Sequence, residues 1–412
     1  KGFRVDAAKH ISPADLTSIV NAVNGRVTNK PYWFLEVIGA PGEAVQPSQY
    51  FGLNGNLMNV TEFAFGPQLY GKFAGGGRLA DLRTFGETWG LMPSSRAVVF
   101  TDNHDKQRGH GGGGNYLTYH AGATYDLANV FMLGWPYGNP VLMSSYAFNR
   151  NTDFDTSHGP PAAADGATKG PWDGGVTAPA CFTQTVGGWV CEHRWRPIGN
   201  MVGFRSATVG NWFVTDWWDN GGNQIAFGRG NKGFVVINKE AAPLTRSFKT
   251  SLAAGKYCDI VSGDFTAGSN ACSGNVITVD ANGYASFTIA AFTAGAIHAS
   301  AKMPSTTPPT LNATITFKEA ADTNLGQNIF VVGNHNAIGN WAPGSAVKLN
   351  YISGTGTRGN WSIGVAFPAG TRIEYKYIKK DGAGNVIWES GANRVVTVGA
   401  AGSNTATNDS WR

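Results

Sequence analysis

The stretch GFRVDAAKHISPADLTSIVNAVN, residues 2–24, reads as a strand followed by a helix. The apolar residues Phe3 and Val5 suit a buried strand. Strand side chains alternate faces, so Arg4 and Asp6 share the face opposite Phe3 and Val5. Two charges there cost several kcal/mol each unless they are paired. Ser12 fits a helix N-cap, Pro13 the first helical position and Asp15 the first turn. Outward from this unit, YWFLEVIG (32–39), VTEFAFG (60–66), AVVFTDNHD (97–105) and PVLMSSY (140–146) read as strands, and TYDLANVFMLGW (124–135) as a helix. Strand–helix–strand repetition predicts parallel βα units. In such folds the reacting groups stand at the C-terminal ends of strands. Asp6, Glu36 and Asp105 fall at three of those ends.

Further along, MVGFRS, NQIAFGRG, GFVVINK, YCDIVSG and ASFTIAAF are short strand-like runs separated by Gly, Asn and Asp turns. They predict a small antiparallel domain. AKMPSTTPP (301–309) is a Pro/Thr linker. Beyond it, ATITFKE, NIFVVGN, AVKLNY, WSIGVAF, RIEYKYIKK, NVIWES and RVVTV predict a β-sandwich. The expected boundaries are 1–195 for the βα part, 196–301 for the all-β domain, 302–309 for the linker and 310–412 for the sandwich.

Charged residues make up only 14% of the chain, well below the usual quarter, while there are 56 Gly and 13 Trp. That balance suits a secreted protein handling a neutral polar substrate such as a sugar, whose C–H faces stack on flat rings. The net charge of +5 is diffuse, with no Lys/Arg run to mark a nucleic-acid or membrane surface. No segment reaches the roughly 18 apolar residues of a membrane span. The absence of C-x-x-C argues against zinc. Of the three pairings open to four cysteines, the simplest is two local disulfides, Cys181–Cys191 and Cys258–Cys272; four buried free thiols are the alternative. Disulfides imply an oxidising, extracellular setting. The chain starts with Lys rather than Met, which reads as a processed or truncated start.

Two carboxylates flanking a glycosidic bond suffice to hydrolyse it. A nucleophile must stay ionised, and Arg4 on the same strand face holds Asp6 so. A proton donor needs a raised pKa, which the apolar and aromatic neighbours of Glu36 supply. Asp105, with His104 beside it, suits binding of sugar hydroxyls and stabilisation of positive charge at the reacting carbon.

GFRVDAAKH, FLEVIG and FTDNHD, in that order, resemble three signature segments of the α-amylase family, the family 13 glycoside hydrolases. GHGGGG (109–114), PYG…MSSY (136–146), WVCEHRWR (189–196), WWDNGGNQIAFGRGNKGF (217–234) and YCDIVSGD (257–264) extend the resemblance, to animal-type members, over about residues 1–300. The resemblance implies a (β/α)8 TIM barrel with GFRVD on the fourth strand. Strands one to three and the calcium-binding insertion are then expected upstream of Lys1, and this chain alone is expected to be weakly active or inactive. It implies retaining endo-hydrolysis of α-1,4-glucan, with Asp6 as nucleophile, Glu36 as general acid/base and Asp105 as transition-state stabiliser. Arg4 orients Asp6, His104, Lys9 and His10 contact substrate, and His110 is a substrate contact in a glycine-rich loop. The backbone carbonyl of His10 is the implied ligand to a structural calcium ion. Animal-type members also bind chloride through an Arg, an Asn and a second basic residue. Arg4 and Asn103 match the first two, but the third falls at Val141, which argues against chloride activation.

GNHNAIGNW, IEYKYIKKDGAGNVIWESGANR and the closing SWR resemble a starch-binding module, carbohydrate-binding module family 20. Trp341 and Trp388 are the implied stacking platform, with Lys376 and Asn393 supplying hydrogen bonds. A second site is implied at Tyr351, with Phe330 where the family often has Tyr; Trp361 reads as core. The implied partners are starch, glycogen and maltooligosaccharides, bound by a secreted monomer. Two alternatives share these residues: a glucan transferase of the same family, and a starch-binding chain without catalysis.

Overall fold

In the computed structural model the described residues are 2–53, 58–109, 115–148, 159–171, 181–182, 188–304 and 312–412. They divide into two compact units, Lys1–Pro304 and Ser305–Arg412.

The first unit begins with a parallel sheet of five strands in sequence order: β1 (Gly2–Val5), β2 (Tyr32–Leu35), β3 (Asn59–Thr61), β4 (Ala97–Val99) and β5 (Asn139–Pro140). Helix α1 (Pro13–Asn24) follows β1, and Ser12 caps it by accepting a hydrogen bond from the Asp15 amide at 3.1 Å. Leu16 and Val20, four residues apart on α1, pack with Trp33, Leu35 and Val60. β1 is not the buried strand its composition suggests. Gly2, Phe3 and Arg4 are exposed, because β2 is the only strand that pairs with it among the described residues. Phe3 recovers some burial by stacking on Trp33, ring centroids 4.7 Å apart. β5 is likewise shorter than PVLMSSY suggests. The Ser145 amide is bonded to the Glu192 carboxylate instead of to a neighbouring strand, and the Ser145 carbonyl accepts from Val190.

Helices α2 (Phe65–Phe73) and α3 (Ala123–Gly134) pack behind the sheet, and α3 is buried almost all round. MVGFRS is helical, not a strand: it lies in α4 (Arg196–Ala207), with Pro197 in the first turn. Ile198, Met201 and Phe204 recur at helical spacing and are fully buried in the same core as α3.

Antiparallel strands then follow: β6 (Thr215–Asp219), β7 (Gln224–Gly228), β8 (Gly233–Asn238), β9 (Leu244–Lys249), β10 (Gly255–Cys258), β11 (Phe265–Thr266), β12 (Ala271–Cys272), β13 (Val276–Val279), β14 (Tyr284–Ile289) and β15 (Thr293–His298). Two sheets result, ordered β15-β8-β7-β6 and β10-β13-β14-β9, plus the hairpin β11-β12. β7 and β8 are buried along their whole length. One face joins the core of α3 and α4, and the other joins a core with Phe248, Phe287 and Ile289. β14 instead alternates exposed and buried residues, having one solvated face. Both local disulfides form, Cys181–Cys191 and Cys258–Cys272. Among the described residues no helix is long and apolar enough to cross a membrane.

The second unit is a sandwich of two sheets. Its strands are β16 (Asn312–Asp322), β17 (Asn328–Gly333), β18 (Val347–Lys348), β19 (Asn350–Thr355), β20 (Arg358–Pro368), β21 (Arg372–Lys380), β22 (Val386–Trp388), β23 (Arg394–Thr397), β24 (Asn404–Ala406) and β25 (Asp409–Ser410). One sheet runs β19-β20-β16-β24 with β25 also on β16; the other runs β18-β17-β21-β22 with β23 also on β21. Phe317, Val331, Phe367, Tyr375 and Trp361 fill the space between them.

Candidate active site

Parallel pairing places the residues after β1 and β2 side by side. Arg4 Nη1 lies 2.5 Å from Asp6 Oδ1, and Arg4 Nη2 lies 2.8 Å from Glu36 Oε1. One guanidinium therefore bridges both carboxylates. The Glu36 backbone amide donates to the Val5 carbonyl at 2.9 Å, extending the ladder past the strand ends. Its side chain accepts from the Ala7 amide at 3.0 Å. Glu36 is 7% exposed, whereas the Asp6 side chain is 73% exposed. Hydrogen bonding from Arg4, then from Glu36, holds the Asp6 carboxyl below its ordinary range.

Asp105 follows β4 and opens a short 3-10 turn, with His104 Nε2 3.6 Å from its Oδ2. Lys106, buried beside Asp105, ties the third carboxylate to the others. Burial pulls its pKa down, and the charges of Asp105 and Glu36 oppose that. Its ammonium lies 5.5 Å from the Phe63 ring centre and 5.7 Å from that of Tyr116. Glu36, Lys9, His10, Glu43, Lys106 and Tyr116 line one open cleft of about 740 Å³. Lys9 is paired with Glu43 Oε2 at 2.5 Å. Sequence reading missed Lys106 and Glu43. Adjacency to Asp105 was a signal for the first; nothing local pointed to the second. His110 lies outside the described residues.

The described residues hold at most part of the implied calcium site. Calcium takes six to eight oxygen ligands, and the His10 carbonyl is joined by no cluster of three His, Cys, Asp or Glu among the described residues. Arg4, Asn103 and Val141 do meet, around a small cavity of about 160 Å³ with Phe34, Phe100 and Met143. But Arg4 is already spent on two carboxylates, and the Asn103 side-chain oxygen accepts from the Lys106 amide at 2.8 Å. His104 is the other basic side chain that lines this cavity.

In the sandwich, Trp341 follows β17, its amide donating to the Gly333 carbonyl at 2.8 Å. Trp388 ends β22 and is 41% exposed. The Lys376 ammonium donates to the carbonyls of Glu389 and Gly391 at 3.1 and 2.6 Å, holding the turn after Trp388. The exposed Asn393 donates to Glu374 Oε2 at 3.4 Å. Tyr351 on β19 is 56% exposed and meets the buried Trp361 edge-on, centroids 5.2 Å apart. Phe330 lies on the other sheet, opposite Lys348 and beneath the Lys380 ammonium.

A parallel βα sheet with carboxylates at its strand ends, followed by an antiparallel β domain, fits a glycoside hydrolase. Comparison narrows the class. Residues 215–300 match the family model for the alpha amylase C-terminal all-beta domain, and residues 312–408 match that for the starch binding domain. An alpha-amylase of Streptomyces violaceus is 46% identical over 418 residues, covering 100% of this chain and 65% of the relative. The pancreatic alpha-amylase of Sus scrofa is 43% identical over 319 residues, covering 73% of this chain and 60% of the relative. The structure of alpha-amylase I from Eisenia fetida aligns at a TM-score of 0.62 and 40% identity, covering 72% of this chain and 61% of that one. A variant of that enzyme has been solved with maltohexaose. These findings support an α-amylase with a starch-binding domain at residues 312–408. The chain spans 65% and 60% of the two curated relatives.

Proposed function

We propose that the whole protein is a secreted α-amylase. It cleaves internal α-1,4-glucosidic bonds of starch, glycogen and maltooligosaccharides with retention, while its C-terminal domain holds it on starch granules. The observation that carries this reading is the Arg4 bridge, which sets Asp6 and Glu36 on adjacent strand ends beside an open cleft. Retaining chemistry wants the two carboxyl groups about 5–5.5 Å apart, one ionised and one protonated. Glu36 gives its proton to the glycosidic oxygen as the bond to C1 breaks, and Asp6 attacks C1 to form a glycosyl ester. Water then attacks C1, its proton passes to Glu36, and Asp6 leaves as the carboxylate. Asp105 faces the positive charge that develops on the sugar ring. Lys9, His10 and His104 offer donors to sugar hydroxyls. The two disulfides support an oxidising compartment.

The test is hydrolysis of soluble starch by the chain and by Glu36→Gln, with product anomers read by NMR. The reading requires α-anomeric products and a loss of at least about 10³-fold in the variant. Measurable and equal rates in both proteins defeat it. A second reading, starch binding without catalysis by this chain, is favoured by the exposure of Asp6 on an edge strand. A charge in water gains little from preorganised dipoles. Granule binding with no hydrolysis by the unmutated chain selects it.

A further inference from the structure

A cleft of about 690 Å³ opens at the other end of the parallel sheet. Ser94 and Ser95, just before β4, and Tyr137 and Gly138, just before β5, line it. Asp6, Glu36 and Asp105 all follow their strands, so this cleft is separate from the catalytic one. Its volume falls in the range of small-ligand sites. Exposed Thr84, Glu87, Thr88 and Asn139 give it a polar rim. Trp212, 54% exposed, forms part of its wall.

Trp212 is held in place at some cost. The guanidinium carbons of Arg205 and Arg229 lie 5.3 and 5.8 Å from its ring centre. Arg229 is fully buried, yet neither arginine is paired with a carboxylate among the described residues. Carbonyls alone anchor them. Arg229 donates to Gly134 and Asn211 at 2.7 and 2.8 Å, and Arg205 donates to Trp135 and to Gly138 at 2.5 Å. Two cations taken out of water without counter-charges are expensive. Part of what they provide is a fixed aromatic plane, because cations favour the indole face. An immobilised, exposed indole beside hydroxyl, amide and carboxylate groups matches the chemistry of a sugar chain, which offers apolar C–H faces and a rim of hydroxyls.

We propose that Trp212 and this cleft form a second, non-catalytic binding site for an α-glucan chain on the first unit. The ring stacks on a glucose residue, and Thr84, Glu87 and Asn139 take its hydroxyls. The proposal rests on the glucan reading above.

The test uses maltoheptaose and the full chain carrying Glu36→Gln to prevent turnover. Hydroxyl-radical footprinting should show Trp212 protected several-fold by the sugar. In the same chain with Trp388→Ala added, calorimetric titration should show residual affinity that Trp212→Ala weakens about tenfold or more and Trp212→Phe partly restores. Trp212 left unprotected while Trp388 is protected overturns this inference alone. Residual affinity unchanged by Trp212→Ala, in a variant that melts like its parent, does the same. Should Trp212→Ala misfold, the footprint of the unmutated tryptophan decides. Absence of maltoheptaose binding anywhere on the chain overturns the glucan reading together with this site.

Discussion

Arg4 does two jobs with one guanidinium. It pairs with Asp6 in solvent and with Glu36 in a buried position, so the two carboxyls sit in different surroundings although one cation serves both. The parity of GFRVDA already placed Arg4 and Asp6 on one face, and that much was legible because strand alternation is strict. The partnership with Glu36 was not, since it depends on which strand lies beside β1. Replacing Arg4 with Met removes the largest cause of the depressed Asp6 pKa, whose ordinary value is 3.8. The Asp6 carboxyl carbon, followed by ¹³C NMR, should then titrate at higher pH than in the parent. Any acid limb of kcat/KM set by this group moves the same way. A depressed carboxylate pKa adds stability above its unfolded value and loses it as pH falls through the folded one. The variant should therefore lose slightly less stability on acidification; the change is small because Asp6 lies in water. An unmoved Asp6 titration contradicts the bridge.

Helix α4 and strand β16 each show where pattern reading reaches its limit. MVGFRS alternates well enough to pass for a strand, because six residues cannot separate a period of 2 from one of 3.6. The two readings make opposite demands on Val202 and Phe204. A strand puts both on one face; the helix leaves Val202 42% exposed and Phe204 fully buried. Phe204→Ala should cost about 3–5 kcal/mol in denaturant unfolding, and Val202→Ala within about 0.5 kcal/mol. Similar costs at both positions contradict the helix. On β16 the alternation was right, but it puts an acid in the core. Glu319 faces inward with Ile315 and Phe317, 1% exposed, with no hydrogen bond to either carboxylate oxygen. Arg394 already answers Glu389 and Asp409, and Arg412 adds only a weaker attraction. Burial pushes Glu319 up to about 8 from an ordinary 4.5; the Arg394 charge opposes this, and the Glu389 and Asp409 charges add to it. A raised acid pKa gives stability that is full below the unfolded value and lost as pH rises through the folded one. The sandwich should therefore weaken between pH 4.5 and about 8. Glu319→Gln should flatten that slope and exceed its parent by at least about 1 kcal/mol at high pH. Parallel stability–pH curves for the two proteins rule this out.

At the scale of the whole molecule, the order of parts was legible because composition changes at each step: alternating strands and helices, then turn-rich strands, then a Pro/Thr stretch, then strands with exposed aromatics. Less legible was how much of the second part belongs to the first. The core holding α3 and α4 takes in Phe227, Val235 and Ile237 from β7 and β8, so residues 2–304 cannot lose the β domain without exposing that face. Among the described residues the sandwich has a core of its own, from Ala313 to Val398. Two independent cores predict two unfolding transitions and a clean division of labour. On the proposed reading, tethering a starch-binding sandwich to a hydrolase raises the local concentration of surface glucan without touching the chemistry. Trp388→Ala should thus cut retention on starch granules by about tenfold or more and slow granule digestion by a similar factor. Hydrolysis of soluble starch, normalised to the activity of the parent, should stay unchanged, as should the first unit's transition in calorimetry. Glu36→Gln should show the reverse, full granule retention and no hydrolysis. Loss of soluble-starch hydrolysis in Trp388→Ala would mean that the sandwich takes part in the chemistry and that the two units are not the separable devices their cores describe.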